Sequence, residues 1–282
     1  MNHPIDLPRK EFNDVLDKIE KLTIMIESIR EFSAKIKPAS IPDSDFFDHA
    51  ASLYLSSREN TQNLVILSGT LLLHLAGQFE QYVQDCMRIV ADEYANKCST
   101  FEDLPTVMQS NIISLTAEVI LHPLKYNFEK EQVKALINQL SACISSSTNP
   151  VHINSNCLVI TEQNMRPETL NELVKRFEIK DVWKEISKQT SIKTYLGIEI
   201  EAEIEKKMKE ILNDLMEDRN RVAHPSSIPS FPDNQKLKYY IQYLREFSKV
   251  FSELMIQKCK VYKPTSLIIS SPITTQIGAN VS

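Results

Sequence analysis

The sequence predicts an all-α protein, an antiparallel up-and-down helical bundle with a polar loop insert. Apolar residues recur at steps of three and four over several long segments, which is the spacing of one face of an α-helix. Glycine is scarce, with 4 residues in 282, whereas sheet-rich folds usually need glycine for turns and bulges. The hydrophobic content of 42% and charged content of 24% are typical of a globular protein.

The first two long helices are predicted over residues 9–36 and 61–97. Both repeat apolar side chains at helical spacing, and residues 43–60 between them predict a short helix or an ordered turn. The stretch 64–76 is apolar on nearly all sides, so we expect it in the centre of the bundle. His74 within it is then expected to be a hydrogen-bonded core residue.

A polar insert divides the predicted helices of the middle and last parts of the chain. Residues 145–167 are rich in Ser, Asn and Thr and carry a β-prone run at 157–161, so we expect a long surface loop or a small insert. The remaining helices are predicted over residues 107–120, 129–144, 167–177, 181–188, 198–223 and 233–262. These elements form one domain, 1–262, followed by a flexible or docked tail, 263–282.

Charge and cysteine usage restrict the classes of function. A net charge of -5 means that any nucleic-acid contact must come from a local patch. The cysteines are odd in number and lack zinc-ligand spacing, so we expect free thiols in a reducing cytoplasm and neither metal nor cofactor. The longest apolar stretch is too short to span a bilayer, which predicts no membrane segment. The five cysteines are Cys86, Cys98, Cys143, Cys157 and Cys259.

One short motif near the end of the chain contains side chains that could catalyse a reaction. The motif reads Arg219-Asn220-Arg221-Val222-Ala223-His224 and is followed by Pro225. Residues five apart on an unbroken helix lie roughly 140° apart, but Pro225 disfavours helical angles at His224. The helix should therefore end near Ala223, which allows Arg219 and His224 to reach one pocket.

These side chains suit the cleavage of RNA by its own 2′-hydroxyl, which needs a base, an acid and a cation on the phosphorane. His224 can transfer a proton near neutral pH, Arg219 can bind phosphate oxygens, and Asn220 can orient the imidazole or the substrate. One histidine cannot easily be acid and base together, so we expect a homodimer with a shared cleft. The alternative is a surface arginine beside a helix-capping histidine. The cations expected to contact RNA are Arg221, Lys206, Lys207 and Lys209.

The motif and its context resemble the HEPN superfamily, and three further stretches resemble the subgroup labelled RiboL-PSP-HEPN. They are residues 71–83 (LLLHLAGQFEQYV), residues 101–105 (FEDLP) and residues 164–183, in which Arg166-Pro167-Glu168-Thr169 leads a helix. The resemblance implies a helical bundle that acts as a dimeric ribonuclease without metal, with Arg219, His224 and Asn220 in catalytic roles. It implies less for Glu80, which either approaches the cleft or serves as a solvated or hydrogen-bonded carboxylate.

Two functions follow from the resemblance. The first is a metal-independent endoribonuclease, a toxin or phage-defence effector that a regulatory or antitoxin protein restrains. The second is a non-catalytic helical module that dimerises or binds a partner protein. HEPN toxins paired with a nucleotidyltransferase often carry a tyrosine two places after the histidine. Ser226 stands there, which argues against that pairing.

Overall fold

The fold was examined in a computed structural model that describes residues 3–36, 45–145, 151–224 and 231–264. In these ranges all regular secondary structure is helical, which confirms the predicted all-α class. Their α-helices are α1 (Asp6–Ala34), α2 (Asp45–Glu59), α3 (Leu64–Ala95), α4 (Thr106–Leu121), α5 (Lys130–Ser145), α6 (Ser155–Leu158), α7 (Pro167–Lys175), α8 (Val182–Ser187), α9 (Thr190–Leu196), α10 (Glu201–Ala223) and α11 (Asn234–Val261). Within the same ranges, none of the helices combines the length and the apolar character that crossing a bilayer requires.

The long predicted helices correspond to α1, α3, α4, α5, α10 and α11, with ends that differ by a few residues. The sequence analysis did not predict α9, because this helix is short and begins almost directly after α8 ends. The predicted tail, 263–282, lies outside the described residues except for its first two positions.

Of the two alternatives for residues 145–167, a surface loop or a small insert, the described part fits the insert, because it is largely irregular chain but is not confined to the surface. Residues 151–166 include the short helix α6, and no strand forms there at the β-prone run. Cys157 of α6 is buried in one apolar cluster with Val119 of α4 and Leu136 of α5. Six of the seven apolar residues between 151 and 166 are buried, and this burial outweighs the average composition. The buried apolar residues of the segment are Val151, Ile153, Cys157, Leu158, Val159 and Met165.

The first half of α3 is not buried on all sides, contrary to the expectation from its composition. Leu72 and Leu75 are fully buried, whereas Ile66 and Leu67 are 52% and 49% exposed. His74, expected to be a core residue, is also exposed. Only one side of the helix is therefore buried over this stretch, and its apolar composition does not report its surroundings.

The described residues cluster into two compact units. The first contains residues 3–36, 45–86, 161–171, 181–224 and 231–254. Its core is an aromatic cluster in which the Phe12 and Tyr82 rings stack at 4.9 Å and the Phe79 and Phe247 rings meet edge to face at 5.6 Å. The Tyr82 hydroxyl donates to the Ser248 carbonyl at 2.8 Å. These contacts fix α1, α3 and α11 against one another.

Of the described residues, the second unit contains 87–145, 151–160, 172–180 and 255–264. The Tyr94 and Tyr262 rings stack at 3.8 Å. The Asn154 amide donates to the Leu136 carbonyl at 3.1 Å, and Arg176 donates to two carbonyls of the α6 segment. The Arg176 side chain therefore satisfies carbonyls at the end of the α6 segment, and Asn154 ties that segment to α5.

All five cysteines are buried free thiols, and we expect none of them to react in the folded protein. Burial raises the pKa of Cys86 and Cys259 to about 12 and that of Cys143 and Cys157 to about 11, and it also raises the pKa of Cys98. A rise of two units lowers the thiolate fraction at pH 8 by about a hundredfold, and the thiolate is the reactive form. A colorimetric thiol reagent should count five thiols in denaturant and none promptly in the native state. One fast-reacting native thiol would contradict this expectation.

Candidate functional site

The helix α10 ends at the position that the motif predicts. Ala223 is its last residue, and His224 leaves the helical region at φ -127° and ψ 71°, although its N–H still donates to the Asn220 carbonyl at 2.9 Å. Pro225 follows in the sequence and disfavours helical angles at His224. The imidazole of His224 is exposed and makes no polar contact with the described residues.

Arg219, Asn220 and His224 line one pocket of about 360 Å³. The turn of the backbone at His224 is what permits this, since 219 and 224 lie on different faces of a regular helix. The opposite wall comes from the segment before α7, through Glu162, Gln163, Asn164 and Arg166. The pocket is therefore built by two stretches of chain that are far apart in the sequence.

Hydrogen bonds orient the amide of Asn220. Its Oδ1 accepts from Arg219 Nη1 at 3.3 Å and from Asn164 Nδ2 at 2.6 Å. A guanidinium can only donate, so the amide oxygen must face Arg219 and the amide nitrogen must point elsewhere. The two residues of the motif are thus coupled to each other and to the opposite wall.

The carboxylate of Glu80 does not line the pocket. Its Oε1 accepts from Thr161 Oγ1 at 2.9 Å and from Gln84 Nε2 at 3.3 Å. Thr161 immediately precedes the wall residues 162–166, so Glu80 anchors the start of that wall to α3. Of the two roles expected for Glu80, the structure has the hydrogen-bonded carboxylate and not a carboxylate that approaches His224.

A buried ion cluster holds the last turn of α10. Asp218, with a side chain 6% exposed, accepts from Tyr240 Oη at 2.7 Å and pairs with Lys236 Nζ at 2.6 Å and Arg221 Nη2 at 3.0 Å. Lys236 and Tyr240 belong to the first two turns of α11. The cluster therefore ties the residue next to Arg219 to the start of the last helix.

The four cations expected to contact RNA lie outside the pocket and pair with carboxylates of α10. Arg221 contacts Asp218 and Glu217, and the pairs Lys206–Glu210, Lys207–Glu210 and Lys209–Glu205 have N–O distances of 3.9, 3.8 and 2.5 Å. Residues 206–209 also lie more than two helical turns before Asn220, on the order of 15–20 Å along the axis. The structure does not bring them to the pocket.

Sequence reasoning missed the wall residues, and above all Asn164 and Arg166. Arg166 was noted only as the start of a helix, and the segment before it was interpreted as a loop of unknown role. Met165 between them is fully buried. The order of polar, apolar and polar residues at 164–166 was the available signal, because an apolar residue that turns into the core leaves its two polar neighbours outside it.

Comparison with known proteins assigns the chain to a family. The sequence model of the RiboL-PSP-HEPN family matches residues 43–257, about three quarters of the chain. The match includes the motif of α10, the wall before α7 and most of α11. Neither a search of curated proteins nor one of solved structures gave a significant match.

The Asp218 cluster generates a prediction about stability. Asp218→Asn removes the negative charge that Lys236 and Arg221 share, and it leaves those cations beside an amide. We expect the free energy of unfolding to fall by about 2–3 kcal/mol, measured by urea denaturation. The control is Glu210→Gln, which breaks two exposed pairs on the same helix and should cost less than about 0.5 kcal/mol. Equal effects of the two substitutions would contradict the central role of Asp218.

Proposed function

The chain belongs to the RiboL-PSP-HEPN family, and from this membership and the pocket at the end of α10 we propose that it is a metal-independent endoribonuclease. The HEPN superfamily includes many ribonucleases. The observation that carries the proposal is the convergence of Arg219, Asn220 and His224 on one pocket of about 360 Å³. The biological role that fits such an enzyme is that of a toxin or phage-defence effector.

The proposed reaction is an internal transesterification. The ribose 2′-oxygen attacks the adjacent phosphorus while a base removes its proton, and the O5′ of the next nucleotide leaves after it receives a proton from an acid. The products end in a 2′,3′-cyclic phosphate and a 5′-hydroxyl. Arg219 is charged throughout and stabilises the negative charge that develops on the phosphorane oxygens.

Asn220 supports this reaction through its orientation. Its Oδ1 accepts hydrogen bonds from Arg219 and Asn164. Its Nδ2 has no acceptor among the described residues, so both of its N–H groups can donate to a substrate. A neutral donor of this kind can contact a non-bridging phosphate oxygen. The network also holds Arg219 in place before the substrate binds, which lowers the cost of ordering it.

A single copy of the described pocket contains one imidazole, whereas the reaction needs a base and an acid. We therefore propose a homodimer in which two copies of His224 face one cleft, one as base and the other as acid. Closed two-fold dimers bring the same surface of both copies together, so a site near the contact is automatically shared.

An exposed apolar surface lies next to the site and suits this dimer. A side chain at Gly69 of α3 would come within 3.1 Å of Val222 Cγ1, two residues before His224. On the same stretch of α3, Ile66 lies about 60° around the helix from Gly69 and is 52% exposed, and Val222 itself is partly exposed. Contact of this surface with a second copy would bury the apolar side chains and place the two His224 residues near each other.

Substitution in the motif tests the chemistry. We expect His224→Ala and Arg219→Ala each to lower kcat/KM on single-stranded RNA by about a hundredfold or more, and Arg219→Lys to recover it only in part because lysine lacks the forked donor. Cleavage should persist in a chelator and leave cyclic phosphate ends, detected by mass spectrometry. Expression of the wild type, but not of these variants, should slow bacterial growth.

Lys206→Ala serves as the control for these measurements, since Lys206 is exposed, lies on the same helix and is distant from the pocket. It should cut RNA and slow growth like the wild type. Equal behaviour of the wild type, His224→Ala and Arg219→Ala would favour the alternative, a non-catalytic dimerisation or partner-binding module. Complete loss of cleavage in a chelator would contradict the metal-free reaction.

The proposed dimer can be tested at Ile66. Ile66→Asp places a charge on the exposed apolar surface of α3, and we expect it to give a monomer in light-scattering chromatography with at least about a tenfold loss of cleavage. Leu121→Asp is the control, because Leu121 is 70% exposed on α4 and should leave both properties unchanged. A monomeric wild type that cuts RNA at full rate would contradict the shared cleft.

A further inference from the structure

A second guanidinium lines the candidate pocket and has no role in the reaction described above. Arg166 lies in the wall opposite Arg219, and its Nη1 donates to Asn213 Oδ1 at 3.3 Å. Among the described residues, neither Arg166 nor Arg219 forms an ion pair, although Glu162 lies in the same wall. Arg221 and Arg245, by contrast, each contact two carboxylates.

The backbone around Arg166 is held on both sides. Its N–H donates to the Asn164 carbonyl at 2.6 Å and its own carbonyl accepts from Leu170 at 2.9 Å. The buried Met165 precedes it, and the indole of Trp183 donates to the Pro167 carbonyl at 3.1 Å. The base of the side chain is therefore fixed by the fold.

The guanidinium itself keeps most of its binding capacity. Arginine has five N–H donors, and within the part of the chain that the structure describes only the bond to Asn213 uses one of them. A half-buried cation with unused donors in a pocket favours an anion as ligand. Arg166 thus has the properties of a positioned phosphate-binding residue.

The two guanidiniums are anchored at different levels of α10. Arg219 bonds to Asn220, and Arg166 bonds to Asn213. Positions seven apart lie on the same face of a helix, about 10 Å apart along the axis. A phosphate beside Arg219 and His224 therefore leaves Arg166 available for a different anionic group further along the same face.

We propose that Arg166 binds the phosphate next to the scissile one, so that the site selects chains with consecutive phosphates over compounds with a single phosphodiester. This inference rests on the proposed ribonuclease function, because Arg219 and His224 define which linkage is scissile. It makes Arg166 a substrate-binding residue and assigns the substrate class, single-stranded polynucleotide.

Salt dependence of RNA binding tests the proposal. The probe is a fluorescein-labelled single-stranded RNA, and all proteins carry His224→Ala to prevent cleavage. Arg166→Gln lacks the charge but can still donate to Asn213. We expect it to weaken binding about tenfold at 0.1 M salt and to make the slope of log K against log salt less steep by about 0.7, the value for one phosphate contact on a single strand. Arg166→Lys should keep most of the slope.

Arg30→Gln is the matched control, because it removes the same charge from a half-buried position on α1 outside the pocket. It should change neither the affinity for RNA nor the slope.

A second measurement uses proteins that keep His224 and an RNA that they can cleave. In this RNA a neutral methylphosphonate replaces the linkage on one side or the other of the mapped cleavage point. One of the two positions should lower kcat/KM of the wild type about tenfold and have no further effect on Arg166→Gln.

The outcomes separate this inference from the proposed function. If the wild type cuts RNA but Arg166→Gln has the slope, affinity and methylphosphonate response of the Arg30→Gln protein, the role of Arg166 is refuted and the ribonuclease stands. If the wild type does not cut RNA and Arg166→Gln still has the shallower slope, the ribonuclease is refuted and the phosphate contact stands. No measurable RNA binding by any version overturns both.

Discussion

The buried carboxylate of Asp218 determines where the candidate site lies. A charge in such surroundings is costly unless it is paired, and Asp218 obtains its partners from Lys236 and Tyr240 at the start of α11. The last turn of α10 must therefore present residue 218 to α11. Each step along a helix rotates by about 100°, so Asn220 then points roughly 160° away, towards the segment before α7.

That segment forms the second wall because its own anchors are equally specific. Met165 is fully buried, and Thr161 donates to Glu80 of α3. Both anchors act on the backbone that carries Asn164 and Arg166, so the polar side chains are positioned before any substrate arrives. Preorganisation of this kind lowers the entropy lost on binding.

Local features of the site were predictable from the sequence, and its long-range contacts were not. The end of α10 follows from Pro225 next to His224, because a proline restricts the residue before it. Asn164 and Arg166 contact residues 56 and 47 positions away, and no periodicity within either segment encodes such a pairing. Their order around Met165 shows only that both lie outside the core.

The same distinction explains the errors in the fold. Helices with an apolar stripe were predicted well, because burial of one face is a local property of the repeat. The first half of α3 and the segment 151–166 were misjudged because average composition does not tell which neighbours a segment has. Ile66 stays exposed although its surroundings in the sequence are apolar, and Cys157 is buried although the longer segment 145–167 is mostly polar.

Charge distribution links the fold to the proposed specificity. The chain has a net charge of -5, and the exposed lysines of α10 are neutralised by glutamates of the same helix. Long-range attraction of nucleic acid is therefore weak over this surface. Arg166 and Arg219, which form no ion pair within the described ranges, instead lie in a pocket, where contact requires a chain that can enter. A nuclease built in this way would bind few phosphates and would select substrates by whether they can enter the pocket. This favours single strands over duplexes, whose backbone is held in a helix.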